Sequence, residues 1–299
     1  MERRVLQARV LECEESVRAM SRILVVEDSA NERAGLCLLL ERAGFGVQGA
    51  GDGYEALKQI EREHFDVLLV DVGLPGMSGL ELLSRLPNDP RPKSLVVTGD
   101  DTAETLLAAL QEHAYQCFTK PYDPAQLIET IKRALESADA GDPIQVLSAD
   151  PHWVELRFSC DRLTVNRIQE YLRQLDSGLP TKVRQSTEAA IHELLMNAAE
   201  WGGHMDPASK VQITCLRTDH LLLYRISDPG AGFNPEEMEH AAIGNRLGPP
   251  DAHVDVREKR GMRPGGYGIL MAESMVDEMV YNQAHNEVII VKYLKPIEH

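Results

Sequence analysis

From residue 22 to residue 137 the chain alternates short apolar runs with segments of helical periodicity, and few folds accept that pattern. The run ILVV (23–26) precedes a helical stretch from about 31 to 43, a short strand near 46–49 and a helix over 53–62. DVLLVDV (66–72), GLELLSRL (79–86), SLVVT (94–98), a helix over 102–113, YQCFTK (115–120) and a helix over 123–137 continue the alternation. Apolar runs without a polar face are strands buried on both sides, and parallel strands need a crossover helix between them. Five such units predict an α/β doubly wound five-stranded parallel sheet over 22–138, with its chemistry at the carboxyl ends of the strands.

Those ends carry Glu27 and Asp28 after the first strand, Asp71 after the third, Thr98 after the fourth and Lys120 followed by Pro121 after the fifth. Carboxylates crowded on one edge repel one another and favour a hard cation between them, so Glu27, Asp28 and Asp71 are expected to hold Mg²⁺. Asp71 ends a buried strand and is the expected nucleophile toward phosphorus, with Thr98 and Lys120 placed to hold phosphoryl oxygens.

The strings VVEDS (25–29), VLLVDVGLPGMSG (67–79), VVTGDD (96–101) and FTKPYD (118–123) occur in this order, with Gly76 and Gly79 in the turn after Asp71. Together they resemble the response-regulator receiver domain. The resemblance implies phosphotransfer to Asp71 from an upstream histidine kinase or phosphotransfer protein, Mg²⁺ on Glu27, Asp28 and Asp71, phosphoryl contacts from Thr98 and Lys120, and a cis Lys120–Pro121 bond. It departs from the family at Cys117, where a tyrosine or phenylalanine usually stands, with Tyr115 and Phe118 nearby.

After residue 138 the alternation stops. SADAGDPIQVLSADP (137–151) is small and turn-forming apart from Ile144 to Leu147, and 139–152 is expected to be a linker. Residues 153–299 then read as strand (154–159), helix (161–175), long helix (181–201), strands (210–216, 220–227), a Gly-rich stretch, helix (267–277) and strands (278–283, 287–294). That order predicts an α+β two-layer sandwich with helices on one face of a mixed sheet.

In AIHELLMNAAEWGG (190–203), Glu193 and Asn197 lie one helical turn apart on one face and are expected to serve a Mg²⁺-nucleotide. YRISDPGAGF (224–233) ends a strand with Asp228, able to accept a hydrogen bond from an amino group such as that of adenine, while Gly230 and Gly232 allow close approach. RPGGYGILMAESMVDE (263–278) sets Gly265, Gly266 and Gly268 at a helix start, where exposed N–H groups and the helix dipole suit phosphates. The stretch between, about 234–263, has the composition of a lid and carries Arg246, Arg257, Lys259, Arg260 and Arg263.

These three strings resemble the nucleotide boxes of the GHKL ATPase superfamily, and more closely the anti-sigma factor serine kinases. The resemblance implies ATP and Mg²⁺ as cofactors, Glu193 as general base, Asn197 as a magnesium ligand, Asp228 as adenine reader, Gly230, Gly232, Gly265, Gly266 and Gly268 around the nucleotide, and a lid arginine such as Arg263 at the γ-phosphate. Downstream it implies an anti-sigma antagonist (STAS-type) protein or a sigma factor, and a homodimer. Two departures stand out: Trp201 where that family often has histidine, and NEVIIVKY (286–293) without the usual Gly-Thr. His192 fits no zinc HExxH pattern, since Met196 occupies the second histidine position. Alternatives to the serine/threonine kinase are nucleotide-dependent sequestration of a partner and phosphorylation of a histidine on another protein.

Composition narrows the classes further. A formal net charge of −16 and 5% aromatics argue against nucleic acid as a partner. No apolar run reaches the roughly 20 residues of a membrane span, the amino terminus reads as no signal segment, and a cytoplasmic location without membrane attachment is expected. The five cysteines are widely spaced without a CxxC pair, as expected of reduced thiols. Residues 1–21 place Leu6, Val10, Cys13, Val17 and Met20 on one stripe of a short amphipathic helix, suited to capping the next domain or pairing with a copy of itself.

Overall fold

A computed structural model describes residues 21–87, 91–100, 102–136, 144–234 and 267–294. The expected amino-terminal helix, the lid with its basic residues, Gly265 and Gly266 lie outside the described residues. The chain divides into two units, Met1–Ala140 and Gly141–His299.

In the first unit, β1 (Arg22–Val26), β2 (Gly46–Ala50), β3 (Val67–Asp71), β4 (Lys93–Thr98) and β5 (Gln116–Thr119) pair in parallel in the order β2-β1-β3-β4-β5. The crossovers are α1 (Ala30–Arg42), α2 (Gly53–Ile60), α3 (Gly79–Ser84) and α4 (Ala103–Gln111), with α5 (Pro124–Glu136) last. Ser29, Asp52, Ser78 and Thr102 each accept a hydrogen bond from the backbone N–H three residues on, fixing where the helices begin. Such caps stabilise by about 1 kcal/mol apiece. Strands β1, β3 and β4 are buried along almost their whole length, and Ile23, Val25, Leu69, Leu95, Val97, Leu127 and Ile131 join one core cluster. Chain direction across the sheet switches between β1 and β3, which opens a crevice at the carboxyl ends of those two strands.

In the second unit, β6 (Ile144–Asp150), β7 (Trp153–Ser159), β8 (Lys210–Arg217), β9 (Leu221–Ser227), β10 (Glu278–Tyr281) and β11 (Glu287–Tyr293) form one sheet in the order β10-β11-β9-β8-β7-β6. Every pair is antiparallel, so the expected mixed sheet is corrected. Each strand here enters its neighbour's ladder in reverse, whereas mixing would need a parallel crossover. The expected linker is corrected too. Ile144 to Asp150 forms the edge strand, bonded to β7 with an irregularity between Val146 and Ser148, and Ile144 is buried.

Alternation puts one sheet face in the core. Leu156, Ile213, Ile226 and Val288 form one buried cross-strand row, and Val154, Cys215, Tyr224 and Ile290 form the next. The helices of this unit are α6 (Arg162–Leu175), α7 (Thr181–Asn197) and α8 (Gly268–Met275). Val165, Ile168, Leu172 and Leu175 are the buried stripe of α6, and Ala190, Ile191, Leu194 and Leu195 that of α7. The long helix does not run regularly to residue 201 as expected: after Asn197 it widens into a π-helical turn, Ala198–Gly202.

Candidate functional site

In the first unit, Lys120 gathers the acids. Its Nζ donates to Asp71 Oδ2 at 2.6 Å, to Glu27 Oε2 at 3.0 Å and to Glu32 Oε2 at 2.9 Å. Glu27 is 2% exposed, and its other oxygen, Oε1, accepts from the Ser29 N–H at 3.2 Å. Burial pushes the Glu27 carboxyl above its ordinary range, against the pull of Lys120. Burial acts on Asp71 in the same direction, but its hydrogen bonds to Lys120 and to the Gly73 N–H (2.9 Å) win and hold it low. Lys120 loses hydration by burial, yet the three carboxylates raise its pKa and keep it charged. Asp71 is thus an anion beside a fixed cation at the end of β3.

The third carboxylate on Lys120 is Glu32, not Asp28, which is exposed. Sequence reasoning passed over Glu32, whose N–H donates to Ser29 Oγ at 3.4 Å and whose side chain turns to Lys120, while the Ser29 N–H is taken by Glu27 Oε1. Among the described residues no three histidine, cysteine or acid side chains are arranged as a preformed metal cage. The donor chemistry nevertheless suits a hard cation: the Glu27 and Asp71 carboxylates meet on one ammonium, and Asp28 adjoins Glu27 in sequence.

Thr98 is buried, accepts the Asp100 N–H at 3.0 Å on Oγ1, and takes the Lys120 N–H on its carbonyl at 2.8 Å, so β4 and β5 deliver their terminal residues side by side. Gly79 closes the turn after Asp71; a β-carbon there would lie 2.1 Å from the Asp71 carbonyl oxygen. The Lys120–Pro121 bond is cis. Cys117 is buried and its thiol is pushed up to about 12 by burial, while Tyr115 and Phe118 are both buried in the core.

The second unit holds a cleft of about 860 Å³, within the usual size for a small-molecule site. Glu193 and Asn197 reach it from α7, Asp228 from the end of β9, and Gly268 from the start of α8. A β-carbon on Gly268 would sit 2.4 Å from Glu193 Oε2 and 3.7 Å from Asn197 Nδ2, so the bare glycine leaves the Glu193 carboxylate room to stand against the start of α8.

Asp228 is half-buried, and burial raises its pKa against a 2.8 Å hydrogen bond from the Gly230 N–H to Oδ1. Gly202 and Gly230 press on the carboxylate, where β-carbons would fall 2.2 and 2.8 Å from Oδ1. Asn286 Nδ2 donates to the Gly230 carbonyl at 2.9 Å, and Gly232 adopts φ +84° with its α-carbon against the Ala284 carbonyl. The Gly-rich loop is therefore fastened to the β10–β11 hairpin.

Sequence reasoning missed that hairpin's contribution. Phe233, Tyr281 and His285 meet edge-on or tilted, with ring centroids 5.1–5.6 Å apart, and line the cleft, but their spacing along the chain gives no signal of convergence. Arg162, at the first position of α6, also lines the cleft. Trp201 is 50% exposed at its rim. These groups fit a nucleotide: a carboxylate aimed from a glycine cradle, an aromatic wall, and a glycine-started helix.

Residues 23–132 match the family model described as response regulator receiver domain, and residues 159–292 that described as histidine kinase-like ATPase domain. The sensory transduction protein RegX3 of Mycolicibacterium smegmatis is 35% identical over 136 residues, covering 44% of this chain and 60% of that protein. This chain thus spans less than two thirds of that relative. The DNA-binding response regulator MtrA of Mycolicibacterium paratuberculosis is 27% identical over 231 residues, covering 77% of this chain and 99% of that protein. Among solved structures, a CheY-like receiver domain protein from Methanospirillum hungatei is 34% identical, covering 39% of this chain and 94% of that chain at a TM-score of 0.37. No described helix is long and apolar enough to cross a membrane.

Proposed function

We infer the function from family membership: the chain is a response regulator receiver domain followed by a histidine kinase-like ATPase domain, and so a protein of two-component signalling. In our reading, phosphorylation of Asp71 regulates an ATP-dependent serine/threonine protein kinase of anti-sigma type. A histidine kinase or phosphotransfer protein supplies the phosphoryl group. One Asp71 oxygen attacks phosphorus, the phosphorus–nitrogen bond of the donor phosphohistidine breaks, and Lys120 and Thr98 take up the phosphoryl oxygens. Mg²⁺ on Glu27, Asp28 and Asp71 would supply further charge neutralisation there.

The observation that carries the kinase reading is the approach of Gly268 to Glu193 and Asn197 inside the cleft. Glu193 would take the proton of a substrate hydroxyl, Asn197 would hold Mg²⁺, Asp228 would accept from the adenine amino group, and the N–H groups opening α8 would face phosphates, with Arg263, Gly265 and Gly266 completing the nucleotide contacts. Bound ATP would supply the transferable phosphoryl group. The protein acted on is an anti-sigma antagonist of STAS type or a sigma factor, and the working state is a cytoplasmic homodimer.

The DNA binding in MtrA's name is not carried over, because the chain's acidity and its ATPase match at 159–292 favour a nucleotide and a protein partner. Trp201 at the cleft rim, in place of a proton-accepting side chain, supports a second reading in which the ATPase domain binds nucleotide and holds a partner without transferring phosphate.

Incubation with labelled ATP, Mg²⁺ and a STAS-type antagonist tests the two. Acid-stable label on the antagonist, lost in Glu193→Gln while ATP still binds, supports the kinase. ATP binding without transfer overturns it in favour of sequestration, and acid-labile label points to a phosphohistidine.

A further inference from the structure

An ammonium carries three N–H bonds, and on Lys120 all three are spent on carboxylates: Asp71 at 2.6 Å, Glu32 at 2.9 Å and Glu27 at 3.0 Å. A phosphoryl group coming up to Asp71 therefore finds no donor on Lys120 until one carboxylate lets go.

The three are not equally free to do so. Glu27 is buried and anchored a second time, through Oε1 on the Ser29 N–H. Asp71, its side chain 12% exposed, holds the Gly73 N–H on Oδ1 and is itself the expected acceptor of the phosphoryl group. The Glu32 side chain is 56% exposed, and among the described residues its carboxylate bonds to Lys120 alone. Water can solvate the Glu32 carboxylate once it leaves, whereas Glu27 or Asp71 would give up a bond in a place shielded from water. The backbone of Glu32 stays where it is, in the first turn of α1 with its N–H on the Ser29 cap. Release is a swing of one flexible side chain, and no helix has to move.

We propose that Glu32 is a positioning residue for phosphoryl transfer. It holds the third N–H of Lys120 in the resting receiver and swings out before that N–H reaches an incoming phosphoryl oxygen. The exchange moves no proton and breaks no covalent bond, since Lys120 trades one anionic acceptor for another. Glu32 thus slows the phosphorylation of Asp71. This rests on the reading of Asp71 as phosphoryl acceptor given above.

The full chain is incubated with acetyl phosphate and saturating Mg²⁺, and intact mass follows the uptake. An Asp71 oxygen bonds to phosphorus as the phosphorus–oxygen bond of the donor breaks and acetate leaves. Glu32→Gln removes the charge and keeps the size, and it is expected to take up phosphate about three- to fivefold faster, the scale of one exposed ion pair. An unchanged thermal midpoint reports that the variant is folded. Loss of a negative charge also eases the approach of any anionic donor, so the same substitution is made in Lys120→Met. There the gain is expected to vanish, because Glu32 has no ammonium left to occupy.

Equal uptake by wild type and Glu32→Gln overturns the proposal, and so does a gain of the same size in both backgrounds, which assigns the effect to charge at a distance. If Lys120→Met takes up nothing, Glu32→Asp makes the same distinction: it keeps the charge but is one methylene short of Lys120. A gain in Glu32→Asp supports the contact, and wild-type speed overturns it. If no protein gains a phosphoryl group, or Asp71→Asn gains one as readily as wild type, the reading of Asp71 itself fails and the proposal falls with it.

Discussion

Gly268 stands where any side chain would strike Glu193: its β-carbon would lie 2.4 Å from Oε2. Gly268→Ala is therefore expected to turn the Glu193 carboxylate, the free end of a flexible side chain, out of its place at the start of α8 and to weaken nucleotide binding. Titration with a fluorescent ATP analogue reads the loss, and an unchanged affinity would refute the close packing.

Asp228 should matter differently. Asp228→Asn keeps its size but turns one of its two acceptor oxygens into an amino donor, facing the Gly230 N–H or the nucleotide, and ATP-analogue binding is expected to fall while far-UV circular dichroism stays the same. Equal binding by the two proteins would remove this carboxylate from the nucleotide site.

Receiver chemistry is checked with a small phosphodonor such as acetyl phosphate. Wild type should gain the mass of one phosphoryl group, Asp71→Asn none, and Lys120→Met far less, because Asp71, Glu27 and Glu32 lose the ammonium they share. Phosphoryl uptake by Asp71→Asn would move the acceptor elsewhere.

Asp176, 3% exposed, accepts a hydrogen bond from Tyr224 and has its carboxyl pushed up by burial from 3.8 to about 6. The folded protein therefore holds this proton more tightly than the unfolded chain. Stability from this group is fully present below pH 3.8 and is lost as pH rises through about 6. Asp176→Asn keeps an acceptor for Tyr224 and removes the ionisation, so its stability relative to wild type should rise by on the order of 3 kcal/mol between about pH 4 and pH 7. Urea denaturation at the two pH values measures this; a constant difference would contradict it.

Two glycines make opposite predictions. Gly35 lies in the exposed middle of α1, where a β-carbon would meet nothing within 4 Å, and Gly35→Ala should stabilise by about 1 kcal/mol. Gly79→Ala would collide with the Asp71 carbonyl at 2.1 Å and should both destabilise the receiver and slow phosphoryl uptake. Thermal midpoints of the two variants should move in opposite directions.

Much of the first unit is legible because its strands are continuous apolar runs that end on polar residues, so Asp71, Thr98 and Lys120 are fixed by where burial stops. Glu32 was not legible in that way. Of the α1 residues only Leu40 is fully buried, and so weak an apolar stripe does not say which way Glu32 faces. In the second unit, Glu193 with Asn197, Asp228 and Gly268 could be read from spacing and glycine chemistry. The strand β6 could not, because its short apolar run, Ile144 to Leu147, lies within a turn-forming stretch and its state is decided by pairing with β7. The direction of pairing across the sheet is likewise a property of the whole ladder, and no single strand encodes it.

The widened turn Ala198–Gly202 contains one residue more than a regular helix would need to cover the same rise. Gly202 meets Asp228 and Gly203 meets the Cys160 sulfur only because the chain arrives there in that register. Loss of a single residue from this segment would restore ordinary winding and carry both glycines about 100° around the axis, away from their seats. Exchange of Glu200 or Trp201 for another residue leaves that register untouched. Here the count of residues, more than their kind, is what heredity has to preserve.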